Sequence, residues 1–407
     1  DFANNRLYKI DPLAFINAEN LKVIYINNNK LQELRFLQTI PSLEEVNASS
    51  NFILNLDQYV FTQLRSLKIL DISSNHLQKI DSEAFVNCSN LTELYLENVG
   101  LTSLSQINMT KLDKLTKLII RNNKILKLEN ESFEGLTALQ LLDLSKNMIS
   151  HLSSKVFSLA QNLFKITVDE NQLSTFDSGI LCTNRKIAFL SFQSNKISKV
   201  IDTKCPGDYT RIEGINLNNN RLDDGFAALL KRTAVLKFLS ELNIGSNQIT
   251  KFPEEITRLT KISLRAINIG YNRVDRKTIT NFIEGLYYFN YLACLQTPVP
   301  LICKFYSIDL SGSYLTKLNH GSFADIHDSL GALYLSDNHL VQLDVADLFN
   351  VTNNVLQNLY LANNKLKTIT TRKKYQMNNL LLLSLVDNPL VQITASSFYL
   401  TPELKEM

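Results

Sequence analysis

The sequence predicts an α/β solenoid, in which short parallel strands stack and a return segment follows each one. Three observations predict it. The pattern L-x-x-L-x-L-x-x-N-x-L recurs fifteen times, with starts at Leu21, Leu43, Leu67, Leu91, Leu115, Leu139, Leu163, Ile187, Ile212, Leu239, Leu264, Phe305, Leu330, Leu356 and Leu380. Six consecutive steps, from Leu43 to Ile187, are all 24 residues. Asparagine fills the ninth place in thirteen of the fifteen copies, and Val99 and Ser313 are the exceptions.

Each letter of the pattern has a physical reason. Side chains alternate along a strand, so the leucines of L-x-L point into the coil and the residues between them point out. One coil cannot bury its own apolar edge, and stacking joins the edges into a continuous core. The asparagine turns the chain inward, and its amide can both donate to and accept from backbone groups that the bend leaves unpaired. Val99 cannot do this and Ser313 can do so only in part; Asn98 is expected to move in for Val99. A phenylalanine falls eighteen residues into many copies (Phe15, Phe61, Phe85, Phe133, Phe157, Phe323, Phe398), which predicts an aromatic seam on the convex side. Together these features predict a leucine-rich-repeat solenoid, a curved horseshoe with a parallel β-sheet on its concave face.

The rhythm runs over residues 1–407 and predicts a single array. Asn5 and Leu7 sit where the tail of an earlier copy falls, and Leu404 opens another copy 24 residues after Leu380. Neither end carries the polar cap that a solenoid terminus needs, so a fragment of a longer protein is expected. One step departs from the rhythm: Leu264 to Phe305 is 41 residues. Within it, Ile279, Phe282, Ile283, Leu286 and Phe289 fall at helical spacing, predicting a helix over about Thr278 to Phe289. Cys294 and Cys303 then frame a loop containing Pro298 and Pro300. The prolines and polar residues exclude a membrane span. Residues 275–304 therefore read as a helix-plus-loop insertion, its function weighed as structural before binding.

A net charge of +3, from 42 basic and 39 acidic residues, gives no electrostatic case for nucleic acid, and no segment here inserts into a membrane. Five cysteines are too few for a disulfide-built scaffold. Cys182 and Cys205 occupy nearly the same place in successive coils, and Cys294 and Cys303 are nine residues apart. Two such cysteine pairs, read as disulfides, point to an oxidising compartment. Cys88 reads as a small buried hydrophobe. Sequons stand at Asn47, Asn87, Asn90, Asn108, Asn130 and Asn350, a number that composition alone would supply. As glycosylation candidates they leave the middle of the chain bare.

The outward residues between the leucines are the candidate contact surface. At the fifth place stand Tyr25, Asn47, Asp71, Tyr95, Ile119, Asp143, Thr167, Ser191, Asn216, Asn243, Asn268, Asp309, Tyr334, Tyr360 and Ser384. Glu93 beside Lys117, and Glu97 beside Arg121, should pair across neighbouring strands. Gly214, Gly245 and Gly270 with Asn216, Asn243 and Asn268 predict a shallow polar floor, which Asp309 continues. Tyr334 and Tyr360 form its aromatic wall, and these six polar and aromatic residues are the candidate ligand contacts. Asn47 faces the same side, where a glycan would oppose binding. The basic run Thr371–Tyr375 reads as a solvated surface.

The histidines His76, His151, His320, His327 and His339 show no metal-ligand spacing, and no nucleotide-binding or nucleophile motif is present. Asp223–Asp224 and Glu254–Glu255 read as turn or polar-face residues. The expectation is a non-enzyme without cofactor or metal.

The 24-residue period, the asparagine column and the Ala-Phe of the return path resemble the repeat class of animal extracellular proteins. Toll-like receptor ectodomains, chaoptin-like adhesion proteins and neuronal leucine-rich-repeat receptors use it. The resemblance implies an extracellular or cell-surface recognition module, the ectodomain of a receptor or adhesion protein, that binds a protein ligand or counter-receptor through its concave face. A membrane-anchored parent and a homodimer are compatible with it. A Toll-like innate-immune ectodomain is the alternative within this reading. An intracellular scaffold or regulatory subunit is the alternative of another class, and free thiols at Cys182 and Cys205 would favour it.

Overall fold

The computed structural model describes residues 1–203, 211–231, 236, 238–260, 263–285, 307–349, 354–370, 377–393, 397 and 401–406. The chain divides into two compact units, Asp1–Ile212 and Glu213–Met407.

In the first unit the third to fifth places of each copy, centred on the first leucine of L-x-L, become three-residue strands: Val23–Tyr25, Glu45–Asn47, Ile69–Asp71, Glu93–Tyr95, Lys117–Ile119, Leu141–Asp143, Lys165–Thr167 and Phe189–Ser191. They pair in chain order, all parallel, with like places opposite like. The second unit repeats the arrangement with Gly214–Asn216, Glu241–Asn243, Ala266–Asn268, Ser307–Asp309, Ala332–Tyr334, Asn358–Tyr360 and Leu382–Ser384. Every strand buries its middle residue, from Ile24 to Leu383, at 4% exposure or less. Both units are leucine-rich-repeat solenoids.

The ninth-place asparagines hold the turns. Asn147 is typical: its Nδ2 donates to Ile120 O, Leu144 O and Ser145 O, and its Oδ1 accepts Ile125 N at 3.1 Å. At the two exceptions the asparagine of the following copy accepts a second backbone N–H. Asn123 Oδ1 accepts from both Val99 N (3.1 Å) and Leu101 N (3.0 Å). Asn338 Oδ1 accepts from Ser313 N (3.0 Å) and Leu315 N (2.9 Å). Asn98 does not move in for Val99; it keeps the eighth place, with φ of 53°. The eighth place is left-handed in every copy, from Asn28 to Asp387, including Lys146, Glu170 and Tyr271. The two exceptional copies are also left-handed at the tenth place, at Gly100 (φ 87°) and Tyr314 (φ 56°).

The aromatic seam lies on the return path. Phe61, Phe85, Phe133, Phe157 and Phe323 are at most 1% exposed. Phe61 stacks on Phe85, and Phe133 packs on Phe157, both with ring centroids 5.6 Å apart. Met109 fills the place between Phe85 and Phe133 and is also buried. Phe15 is half-buried against Phe2 and Phe36; Phe398 lies outside the described residues. Two-stranded parallel sheets, not foreseen from the repeat pattern, join some return segments. Asn55–Leu56 pairs with Lys79–Ile80, Thr175–Asp177 with Lys199–Ile201, and Gln342–Asp344 with Thr368–Thr370.

The expected helix spans Arg276–Gly285, beginning two residues before Thr278. Asp275 starts it, accepting Thr278 N at 2.8 Å, and so sets a boundary that apolar spacing does not reveal. Ile279, Phe282 and Ile283 are buried, and Phe282 packs on Phe252 at 5.5 Å. Leu286, Phe289, Pro298, Pro300, Cys294 and Cys303 lie outside the described residues, as do Cys205 and Asn350. No helix among the described residues is long and apolar enough to cross a membrane.

Cys88 is free and fully buried, and burial pushes its thiol up to about 12. The reactive species is the thiolate. Folded protein at about pH 8 is therefore expected to leave Cys88 unalkylated by iodoacetamide, and denaturant to expose it; labelling without unfolding would contradict this burial. Cys182 is disulfide-bonded.

Candidate recognition face

The second unit's strand register lines up Asn216, Asn243, Asn268, Asp309, Tyr334 and Tyr360 in one row on the outward face. All six are half-buried. The first four share a local device. Their Oδ1 atoms accept the backbone N–H two residues on: Asn218 (3.1 Å), Gly245 (3.3 Å), Gly270 (3.0 Å) and Ser311 (2.9 Å). Such bonds fix the strand ends and explain these residue types without any ligand. They also make the floor rigid.

The glycines of the floor answer to close packing. A Cβ on Gly245 would meet Asn268 Oδ1 at 2.5 Å, and one on Gly270 would meet Ser311 O at 2.6 Å. Beyond them the wall stands as the sequence suggests. The Tyr334 and Tyr360 rings stack 4.5 Å apart at an interplanar angle of 3°. That distance matches the roughly 4.8 Å between neighbouring strands, so the stacking axis runs along the row. Burial, with Tyr360 and Asp309 alongside, holds the Tyr334 hydroxyl above its ordinary pKa. Burial likewise raises the Asp309 carboxyl, against its Ser311 hydrogen bonds.

A second cluster flanks the row and was not read from the sequence. The Tyr271 hydroxyl donates to Asp337 Oδ2, and Asn363 Nδ2 donates to Asp337 Oδ1. Gly312, with φ of 61°, lies under the Tyr271 ring, where a Cβ would meet Cδ1 at 2.4 Å. The signal in the sequence is glycine at the eighth place of the Phe305 copy, directly after a copy with tyrosine there.

On the first unit the two expected charge pairs form. Lys117 lies 3.5 Å from Glu93, bonds the Tyr95 hydroxyl at 2.7 Å and sits 4.8 Å from the centroid of the same Tyr95 ring. Arg121 lies 3.3 Å from Glu97. Exposed pairs of this kind contribute little to stability. Asn47 has its Oδ1 bonded to Ser49 N and Oγ. A groove of about 650 Å³, bordered by Val99, Gly100, Lys124 and Lys146, lies over the Val99 turn.

Of the other sequon asparagines, Asn87 and Asn130 are exposed. Asn90 bonds Arg65 O and Lys114, and Asn108 bonds Glu83 and Thr110. Asp223 accepts Gly225 N, Asp224 accepts Thr250 N and Lys251 N, and Glu254 and Glu255 open a short helix. All four are accounted for structurally. The run Thr371–Tyr375 lies outside the described residues. Among the described residues no group of three or more His, Cys, Asp or Glu side chains could hold a metal ion.

Comparison with known proteins supports the repeat fold. A family model described as leucine rich repeat matches residues 41–101 and 113–173. Podocan of Mus musculus is 29% identical over 176 residues, which is 41% of this chain and 28% of podocan's length. A leucine-rich-repeat protein of Leptospira interrogans superposes with a TM-score of 0.74 at 23% identity, covering 100% of this chain and 94% of that one. The Toll–Spatzle complex of Drosophila gives a TM-score of 0.58 at 17% identity, covering 96% of this chain and 64% of that one. These structures share the fold, and the repeats carry its sequence signature: the chain is a leucine-rich-repeat protein.

Proposed function

We propose that this leucine-rich-repeat chain is a non-enzymatic extracellular recognition module, part of the ectodomain of a cell-surface receptor or adhesion protein, and that it binds a protein ligand through its outward sheet face. The row Asn216–Asn243–Asn268–Asp309–Tyr334–Tyr360 carries the reading. It offers polar and aromatic groups on a backbone already fixed by local hydrogen bonds, so little ordering entropy is lost on binding. Tyrosine is also a favoured residue at the centre of interfaces. The disulfide at Cys182 supports an oxidising compartment, with Cys205 as its proposed partner and Cys294–Cys303 as a second pair. The match to podocan and the fold shared with the Toll–Spatzle complex support protein recognition as the use of such a surface.

The test displays the chain against a panel of secreted proteins and cell-surface ectodomains. A specific partner is expected, and the double change Tyr334→Ala, Tyr360→Ala should weaken it at least roughly tenfold. A partner indifferent to the row, or binding confined to cytosolic proteins, would overturn the reading.

A further inference from the structure

Resting on that reading, we propose that the row recognises a basic segment of its protein partner, seating an arginine or lysine side chain against the free face of Tyr334, above Asp309. The argument begins with charge. The third, fifth, seventh and eighth places of the seven copies from Ile212 to Leu380 hold Glu241, Asp309, Asp337 and Asp387, and no lysine or arginine. Arg265 stands at a second place, with its guanidinium bonded to its own strand start at Leu264 O. The same places in the first unit mix signs, with Lys117, Arg121, Lys146 and Lys165 among the acids. Exposed cations of these copies, Arg221, Arg273 and Lys365, stand at the tenth place, past the turn. A row of one sign on a nearly neutral chain favours a partner of the other sign.

Geometry gives the seat. Tyr360 covers one face of the Tyr334 ring, and the stacking axis runs along the row. The other face therefore turns towards Asp309, the next residue in the row. Aspartate is shorter than tyrosine, so the row steps down beside that face, with the neighbouring strand roughly 4.8 Å away. A planar guanidinium fits there, stacked on the ring and bonded to a carboxylate. Neither Asp309 nor Asp337 has a cationic partner among the described residues; the first bonds Ser311, and the second bonds Tyr271 and Asn363. Burial of Asp309 without a counter-charge is the unfavourable state that a bound cation would relieve.

The probe is a hexa-arginine peptide, with hexa-lysine and hexa-glutamate for comparison, titrated into the whole chain. The chain has fifteen tyrosines, so intrinsic fluorescence would not single out the row, and calorimetry reads the binding instead. Hexa-arginine is expected to bind and hexa-glutamate not. Tyr334→Ala should weaken binding by roughly three- to thirtyfold, the range of a partly desolvated cation–π contact. Asp309→Asn keeps the bond to Ser311 N and removes only the charge, and should weaken binding severalfold. Tyr95→Ala on the other unit should have no effect. Unchanged affinity in Tyr334→Ala, equal binding of hexa-glutamate, or no binding overturns the proposal. A protein partner that needs the row yet is not displaced by hexa-arginine overturns this inference and leaves the recognition function standing. Peptide binding without any protein partner does the reverse.

Discussion

Asn123→Ala is expected to destabilise the first unit by about 1–3 kcal/mol more than Asn147→Ala, the cost of one further buried donor left unpaired. Both asparagines donate to three backbone carbonyls. They differ in what they accept: Asn147 takes Ile125 N alone, whereas Asn123 takes Val99 N and Leu101 N. The extra duty falls at the copy whose ninth place, Val99, carries no side-chain amide. A repeat array need not unfold in one step. Hydrogen exchange at Val99, Leu101 and Ile125 is therefore the informative measurement, with urea unfolding beside it. Asn123→Ala should release protection at two amides and Asn147→Ala at one. Equal losses would mean that the second acceptance contributes nothing. The pattern also predicts where the exceptional copies remain weak. Leu77 N and Val274 N stand where they would donate to an asparagine at 99 or 313, and neither finds an acceptor among the described residues. Val99→Asn should supply the first and raise protection at Leu77.

These details mark the limit of what the sequence discloses. The leucines and the asparagine column recur at fixed spacing because every coil solves the same burial and turn problem, and repetition makes a weak local signal strong. The row of Asn216 to Tyr360 was legible for the same reason, since like places on parallel strands must fall side by side. Exceptions are not repeated, so their solutions are not. Nothing in Val99 or Asn98 says that the Val99 N–H is taken up by Asn123, 24 residues on, while Asn98 stays in place. The bond between Tyr271 and Asp337 spans 66 residues and two intervening irregularities, and no periodicity announces it. The seam's phenylalanines were visible, but the paired strands of the return path were not, because their short segments carry no alternation long enough to read. The chemistry of the row is legible only in part: the sequence gives the residue types, and the stacking of Tyr334 on Tyr360 comes from the fold.

A glycine pair separates conformational cost from packing cost. Gly100 and Gly135 are both left-handed, with φ of 87° and 83°. A Cβ on Gly100 would find its nearest neighbour, Leu77 O, at 3.7 Å, an ordinary contact. Gly100→Ala should therefore cost only the strain of a left-handed alanine, about 1–2 kcal/mol. A Cβ on Gly135 would lie 2.5 Å from both Thr110 Cα and Thr110 O and 2.7 Å from Thr110 C. These are backbone atoms of the preceding copy, and no side-chain rotation relieves them. The neighbouring coils must part, so Gly135→Ala should add about 1–3 kcal/mol of overpacking to the same strain. Urea unfolding of both variants checks the difference, and hydrogen exchange near Thr110 locates it. Equal destabilisation would show that the two coils are not in close contact at Thr110. A larger loss at Gly135 identifies this glycine as the residue that lets one return path lie directly on the last. The same substitution tests the first unit without touching the outward row of the second, so partner binding through that row should survive it wherever the protein remains folded.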